Sequence, residues 1–166
     1  MNNMVKQHSL FKASNGIEYF NFEEDFVEKN IRCIPMIVRF KMDAAGVKLK
    51  LSEWNLFSTA ERIELAEKSC ENETDVKEYK IHLATLVKKY TNNEATPLAI
   101  DKNPEWNELT SIPVALNEKA DEFQWKIGLE KWQGLTNLQR FTLLKLCRPG
   151  HENKNFPKAM REFDLI

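Results

Sequence analysis

Residues 34–70 read IPMIVRFKMDAAGVKLKLSEWNLFSTAERIELAEKSC, and residues 112–148 read IPVALNEKADEFQWKIGLEKWQGLTNLQRFTLLKLCR. The two stretches align without a gap at an offset of 78 residues, and nine positions are identical. Average residue usage gives about two identities by chance over this length. We interpret the stretches as two copies of one helical unit, with coincidence between amphipathic helices as the alternative. The identical pairs are Ile34/Ile112, Pro35/Pro113, Lys41/Lys119, Asp43/Asp121, Lys48/Lys126, Leu51/Leu129, Trp54/Trp132, Arg62/Arg140 and Leu65/Leu143.

The first copy contains a series of helix signals. Pro35 stands where a helix begins, and Gly46 is placed to end that helix in a left-handed conformation. A short helix around Trp54 follows. Ser58 and Glu61 then have the spacing of a capping box, in which each side chain accepts from the main-chain amide of the other. The second copy repeats three of these signals, at Pro113, at Trp132 and at Thr136 with Gln139. The pattern predicts an all-α fold built from two pseudo-repeated helical units.

The rest of the chain sets the predicted domain boundaries. Residues 1–16 are polar and lack periodicity, which predicts a flexible N-terminal tail. Residues 17–166 predict a single helical domain, because neither copy is large enough to bury much surface alone. Its parts are repeat unit one at about 31–90, a linker at 91–111 and repeat unit two at about 112–166.

Three elements lie outside the matching stretches. Thr74 is predicted to cap a long helix, whose apolar residues recur at steps of three and four. Asn155 and Pro157 predict the start of a final short helix. The aromatic and acidic residues around 23–30 predict a short helix, and an extended segment at 18–22 is the alternative.

The composition bounds the class of protein. Hydrophobic residues make up 42% and charged residues 30%, as in ordinary globular proteins. The net charge of −1 favours neither nucleic acid nor a membrane as partner. Three cysteines without a CxxC spacing fit a reducing compartment. No apolar run approaches the roughly 18 residues of a membrane span. We therefore expect a cytoplasmic protein.

No motif for catalysis stands out. Cys147 and His151 have a C-x3-H spacing, but two ligands do not make a metal site, and a helical cysteine is more often a buried apolar residue. No Gly-rich phosphate-binding loop occurs. We therefore predict no enzymatic activity and no bound cofactor. A carrier of a metal or an anionic cofactor, using Cys147 and His151, is the alternative.

Two further sets of residues have both structural and functional interpretations. Trp54 and Trp132 are expected to be core anchors, and Arg62 and Arg140 are expected to pair with carboxylates, with Asp43 and Asp121 as candidate partners. The basic residues between positions 29 and 50 either pair with nearby acids or form a strip that docks an acidic partner. They are Lys29, Arg32, Arg39, Lys41, Lys48 and Lys50.

The segment RPGHENKNFP at 148–157 has the most unusual sequence in the chain. Pro149 and Gly150 predict a turn, and the polar residues after them exceed what capping and turn formation need. Binding groups concentrate on loops held by rigid elements. The first copy has Glu71 to Asp75 in the corresponding place. The loop of the second copy is therefore a candidate recognition surface.

Two long segments of the chain resemble the nitrate-reductase-associated protein family, known mainly from cyanobacteria. They are FNFEEDFVEKNIRCIPMIVRFKMDAAGVKLKLSEWNLFS and LEKWQGLTNLQRFTLLKLCRPGHENKNFPKAMREF. The most specific parts of the likeness are RCIP at 32–35, VRFK at 38–41 and RPGHENKNF at 148–156. The resemblance implies an accessory or maturation factor that supports nitrate reductase by protein contact, with the reductase or its maturation machinery as partner. It nominates as partner-binding residues Arg32, Arg148, His151, Glu152, Asn153 and Lys154.

Overall fold

The computed structural model describes residues 20–23, 34–149 and 154–166, and eight α-helices lie in that part of the chain. The prediction of an all-α fold is confirmed. A sheet of two very short strands is the one addition to it among these residues. The predicted tail at 1–16 and nearly all of the predicted helix at 23–30 lie outside the described residues. None of the helices described is long and apolar enough to cross a membrane.

The chain divides into two compact units. The first unit comprises residues 34–101 of the described part, and the second unit comprises residues 20–23, 102–149 and 154–166. The boundary falls inside the predicted linker at 91–111. The single cooperative domain over 17–166 stays a prediction.

The first unit contains four helices and the two strands. Gly46 ends the first helix with φ at 68°, as predicted. The capping box of Ser58 and Glu61 is present. The long helix is capped by Asn72 rather than by the predicted Thr74, because the Asn72 Oδ1 accepts from the Asp75 amide. The elements are α1 Met36–Ala45, β1 Val47–Lys48, α2 Leu51–Trp54, α3 Thr59–Glu67, α4 Glu73–Thr91 and β2 Thr96–Pro97.

A segment of the predicted linker covers the chain just after α1. Val47 pairs with Pro97 and Lys48 with Thr96 in an antiparallel arrangement. The Leu98 amide also donates to the Gly46 carbonyl, at 2.9 Å. A Cβ atom at Gly46 would lie 3.0 Å from the Leu98 carbonyl oxygen. Gly46 therefore permits both the left-handed turn and the close approach of the covering segment.

The second unit contains the other four helices and a 3₁₀ turn at Glu105–Asn107. The Trp132 indole donates to the Glu108 carbonyl and the Gln133 amide group donates to the Leu109 carbonyl, both at 2.8 Å. These bonds tie the end of the predicted linker to the second unit. The helices are α5 Val114–Asp121, α6 Leu129–Gly134, α7 Asn137–Leu146 and α8 Phe156–Glu162.

Helix positions in the two units follow the offset of 78 residues. The helices α1, α2 and α3 begin at Met36, Leu51 and Thr59, and α5, α6 and α7 begin 78 positions later in each case. Gly46 and Gln124, also 78 residues apart, both have positive φ. The last helices depart from the offset, since α4 is 19 residues long and α8 only seven. Duplication of one unit remains our interpretation of these positions.

Candidate functional site

The structure describes only the two ends of the predicted recognition loop. Arg148 follows α7 and Lys154 precedes α8, and both side chains are exposed. The other nominated residues lie outside the described part of the chain, namely Arg32, His151, Glu152 and Asn153. Whether all six residues form one surface therefore stays a prediction.

Aromatic residues hold the second end of this loop in place. Phe156, the first residue of α8, is fully buried, and Pro157 occupies a favourable position in the first turn of the helix. The Phe156 ring lies 5.9 Å from the Phe123 ring, measured between centroids. Lys154 therefore stands two residues from a buried anchor that contacts Phe123.

Phe123 and Trp125 form a partly exposed aromatic stack after α5. Their rings are 4.7 Å apart and within 15° of parallel. Phe123 is 37% exposed and Trp125 is half-buried. Gln124 between them has φ at 60°, a left-handed conformation that costs a residue with a Cβ atom about 1–2 kcal/mol. The two rings are thus held together by a left-handed backbone conformation that residues other than glycine rarely adopt.

One cation lies over the stack. The Arg161 guanidinium lies over the Trp125 ring, 5.8 Å from its centroid. Two acids beside the stack are neutralised, since Lys126 pairs with Asp121 and Lys119 with Glu122. Four exposed cations among residues 148–161 form no ion pair with any residue in the described ranges. They are Arg148, Lys154, Lys158 and Arg161. We call Phe123, Trp125 and Arg161 the cation–aromatic surface.

The predicted basic strip of the first unit is interrupted at Lys41. This side chain is buried, and its Nζ donates to the carbonyls of Ala66 and Lys68 at 2.6 and 2.7 Å. It thereby satisfies carbonyls at the C-terminal end of α3, where a cation is favourable. Burial lowers the pKa of Lys41, an effect that the nearby Cys70 partly offsets. Lys41 is therefore part of the core and not of a docking strip.

The two tryptophans are core residues, as expected. Trp54 and Trp132 are fully buried, and the Arg62 and Arg140 guanidinium groups lie 5.7 and 5.8 Å from their ring centroids. The expected pairing of these arginines with Asp43 and Asp121 is wrong. Both guanidinium groups donate to main-chain carbonyls at the ends of the tryptophan helices, which leaves those carbonyls satisfied.

The cysteines have the chemistry of buried thiols. Burial raises the pKa of Cys147 to about 12, and burial also raises the pKa of Cys70. Both therefore stay protonated at neutral pH and are poor nucleophiles and poor metal ligands. No group of three His, Cys, Asp or Glu side chains with metal-site geometry occurs in the described ranges.

Sequence reasoning missed Phe123, Trp125 and Arg161. A signal was present in the alignment of the two copies. Phe123 and Trp125 stand where the first copy has Ala45 and Val47, both buried. Large aromatic residues in place of small buried ones indicate that the two copies use this position differently.

The fold and the described side chains place the chain among all-helical proteins with an exposed cation–aromatic surface. The chain belongs to the family of conserved nitrate reductase-associated proteins, whose family model matches residues 19–163. The predicted resemblance is thereby confirmed. No curated protein and no solved structure matches the chain at a significant level.

Proposed function

We propose that this protein is a cytoplasmic accessory or maturation factor that supports nitrate reductase activity by contacting the reductase or its maturation machinery. The observation that carries the proposal is membership of the nitrate reductase-associated family over residues 19–163. The family description names an association with the enzyme and not a reaction. Contact without catalysis is the simplest activity that agrees with it.

The cation–aromatic surface supports a role in protein contact. Tryptophan, phenylalanine and arginine are enriched in protein interfaces, and a few such residues carry most of the binding energy. Trp125 and Arg161 provide both types of group within 5.8 Å of each other. Arg148 and Lys154, which form no ion pair with any described residue, stand at the two ends of the loop that the resemblance nominated. An acidic patch on the partner would complement them.

The described side chains give little support to an enzyme or a metal carrier. Cys70 and Cys147, the only cysteines in the described part of the chain, are protonated thiols at neutral pH. The cations near Arg148 and Lys154 suit an anionic cofactor as well as an acidic protein. Elemental analysis and mass spectrometry of protein purified without chelator separate these alternatives, because a stoichiometric metal or cofactor would favour the carrier.

The decisive experiment uses a strain that lacks the gene. We expect it to grow normally on ammonium and poorly on nitrate, with reduced nitrate reductase activity in extracts. The double variant Arg148→Glu/Lys154→Glu should restore activity less well than the wild type. The matched control is Lys77→Glu/Lys80→Glu, which reverses two exposed lysines of the first unit. Equal growth of the deletion strain on both nitrogen sources would refute the proposal.

A further inference from the structure

The first unit shows how the chain just after α1 is covered. In the sequence TPLAI at 96–100, residues 96–98 pair with Gly46 to Lys48 through main-chain hydrogen bonds, and the Ile100 side chain lies beside Gly46. Leu98 is half-buried in this arrangement. The cover is thus an extended, apolar segment that contains a proline.

The matching part of the second unit has no such cover among the residues that the structure describes. Gln124, three residues after the end of α5, has a left-handed conformation, as Gly46 has at the matching position after α1. The residues that follow, 125–128, pair with no strand in the described part of the chain. The main-chain amides of Lys126 and Ile127 donate to no described residue. We call residues 125–128 the open edge.

The side chains at the open edge favour an apolar segment that carries an acid. The Phe123–Trp125 stack offers apolar surface, and the Lys126 side chain is 85% exposed. Arg161 lies over Trp125 without an acidic partner among the described residues. A carboxylate on the incoming segment would therefore find a cation beside the stack and could accept charge-assisted hydrogen bonds from its guanidinium group.

We propose that the open edge binds an extended apolar segment of a partner protein by main-chain pairing with Lys126 and Ile127, with an acidic residue of that segment at Arg161. Addition of a strand to an unpaired edge is a general mode of peptide recognition. The inference rests on the proposed function only in that the partner is a protein, and it names the chemistry of the segment that this partner presents.

One difference between the units sets the position of the incoming segment. A Cβ atom at Gly46 would lie 3.0 Å from both the Leu98 carbonyl oxygen and the Ile100 side chain, and Gln124 carries a Cβ atom at the matching place. The Gln124 Cβ atom therefore crowds a segment that approaches as Leu98 and Ile100 approach Gly46, whereas a Cβ atom at Gly128 would meet nothing within 4 Å. Replacement of Gln124 by glycine should make room and strengthen binding.

The competing explanation is that the aromatic rings themselves replace the missing cover. Phe123 packs on Trp125 and on Phe156, so the stack has an internal role in any case. Under that explanation nothing else binds the open edge. The two explanations differ in what happens when an extended peptide is added to the protein.

The test titrates the full-length, ¹⁵N-labelled protein with the peptide EATPLAID, the sequence of residues 94–101. We expect chemical-shift changes at the Lys126 and Ile127 amides and at the Trp125 indole, with a Kd of about 0.1–1 mM. A scrambled peptide and the charge-reversed peptide KATPLAIK should bind about tenfold more weakly. Absent or sequence-independent shifts at 125–127 would overturn the proposal.

Three variants sharpen the result. Trp125→Thr should weaken binding about tenfold, whereas Val114→Ser, which removes a 71%-exposed apolar side chain of the same unit, should leave it unchanged. Gln124→Gly should increase the affinity for the peptide. Circular dichroism checks that Trp125→Thr is folded, and the result for Gln124→Gly stands even if that variant is not. Equal affinities for Gln124→Gly and the wild type would contradict the proposed register. Concentration-dependent self-association that Trp125→Thr abolishes would assign the edge to a second copy and overturn the proposal.

The outcome is separable from that of the proposed function. Peptide binding uses purified protein and needs no nitrate reductase, so its failure leaves the nitrate phenotype untouched. Conversely, a deletion strain that grows normally on nitrate would refute the accessory role and leave the peptide result standing. Where both hold, Trp125→Thr should also restore nitrate reductase activity less well than Val114→Ser.

Discussion

Replacement of Arg140 by alanine should destabilise the protein more than replacement of Arg62. The Arg140 guanidinium donates to the Trp106 carbonyl at 2.8 Å, to the Leu135 carbonyl and to the Asn137 side chain. Arg62 makes two longer bonds, of 3.3 Å to the Trp54 carbonyl and 3.2 Å to the Asn55 carbonyl. The two arginines occupy matching positions, so the comparison isolates the number and quality of the bonds.

The magnitude follows from the bonds that each variant loses. At about 1 kcal/mol net per bond, Arg140→Ala should lower the free energy of unfolding by about 3 kcal/mol. Arg62→Ala should lower it by about 1–2 kcal/mol, because its two bonds lie at the long end of the normal range. Arg148→Ala, which removes an exposed arginine, should change it by less than about 0.5 kcal/mol.

The assay is urea unfolding of the full-length protein, followed by circular dichroism and by tryptophan fluorescence. Coincident transitions by the two signals allow the free energies to be compared. A cost for Arg62→Ala equal to or greater than that for Arg140→Ala would refute this reasoning. So would a cost for Arg140→Ala below about 1 kcal/mol, because buried carbonyls that lose their donors must show a penalty.

Three further predictions concern single side chains. Burial alone would raise the pKa of Glu61, but hydrogen bonds from Lys89, Ser58 and Tyr90 outweigh it and lower that pKa to about 2, below its ordinary value of 4.5. Glu61 therefore contributes stability above about pH 4.5 that is lost as the pH falls toward 2, and Glu61→Gln should lack this part of the pH dependence in urea titrations. Gly46→Ala should destabilise the protein, because it places a Cβ atom 3.0 Å from the Leu98 carbonyl oxygen in a residue with φ at 68°. Gln124→Gly should stabilise the protein by about 0.5–1 kcal/mol, because glycine adopts positive φ without a steric penalty. Thermal melts in which Gly46→Ala is the more stable variant would contradict the assignment of both turns. Because burial raises the pKa of Cys147 to about 12, iodoacetamide should alkylate Cys147 at pH 7.5 far more slowly in the native protein than in urea, as peptide mass spectrometry can measure.

Much of the fold could be predicted because its signals are local. Pro35, Gly46 and the Ser58–Glu61 capping box act within one turn of the chain, so the sequence alone locates the ends of those helices. The cap at Asn72 was missed because Thr74 has an equally suitable side chain two residues later. The pairing of 47–48 with 96–97 was missed because two-residue strands leave no alternation in the sequence.

The candidate site was harder to predict for a physical reason. Arg62 and Arg140 were assigned to acids because their charge suggests ion pairs, yet buried carbonyls at helix ends compete for the same donors. Lys41 was grouped with cations expected either to pair with nearby acids or to form a docking strip, although its long side chain reaches the carbonyls at the end of α3. Phe123 and Trp125 indicate a candidate binding surface only once the turn at Gln124 is known to bring their rings together. In each case a partner distant in sequence decides the role.

The most direct test of the accessory role is nitrate reductase activity in extracts of the deletion strain. We predict low activity in that strain, restoration by the wild-type gene and by Val114→Ser, and incomplete restoration by Arg148→Glu/Lys154→Glu. Reductase protein levels measured in the same extracts distinguish loss of assembly from loss of turnover. Undiminished reductase activity in the deletion strain would contradict the central claim.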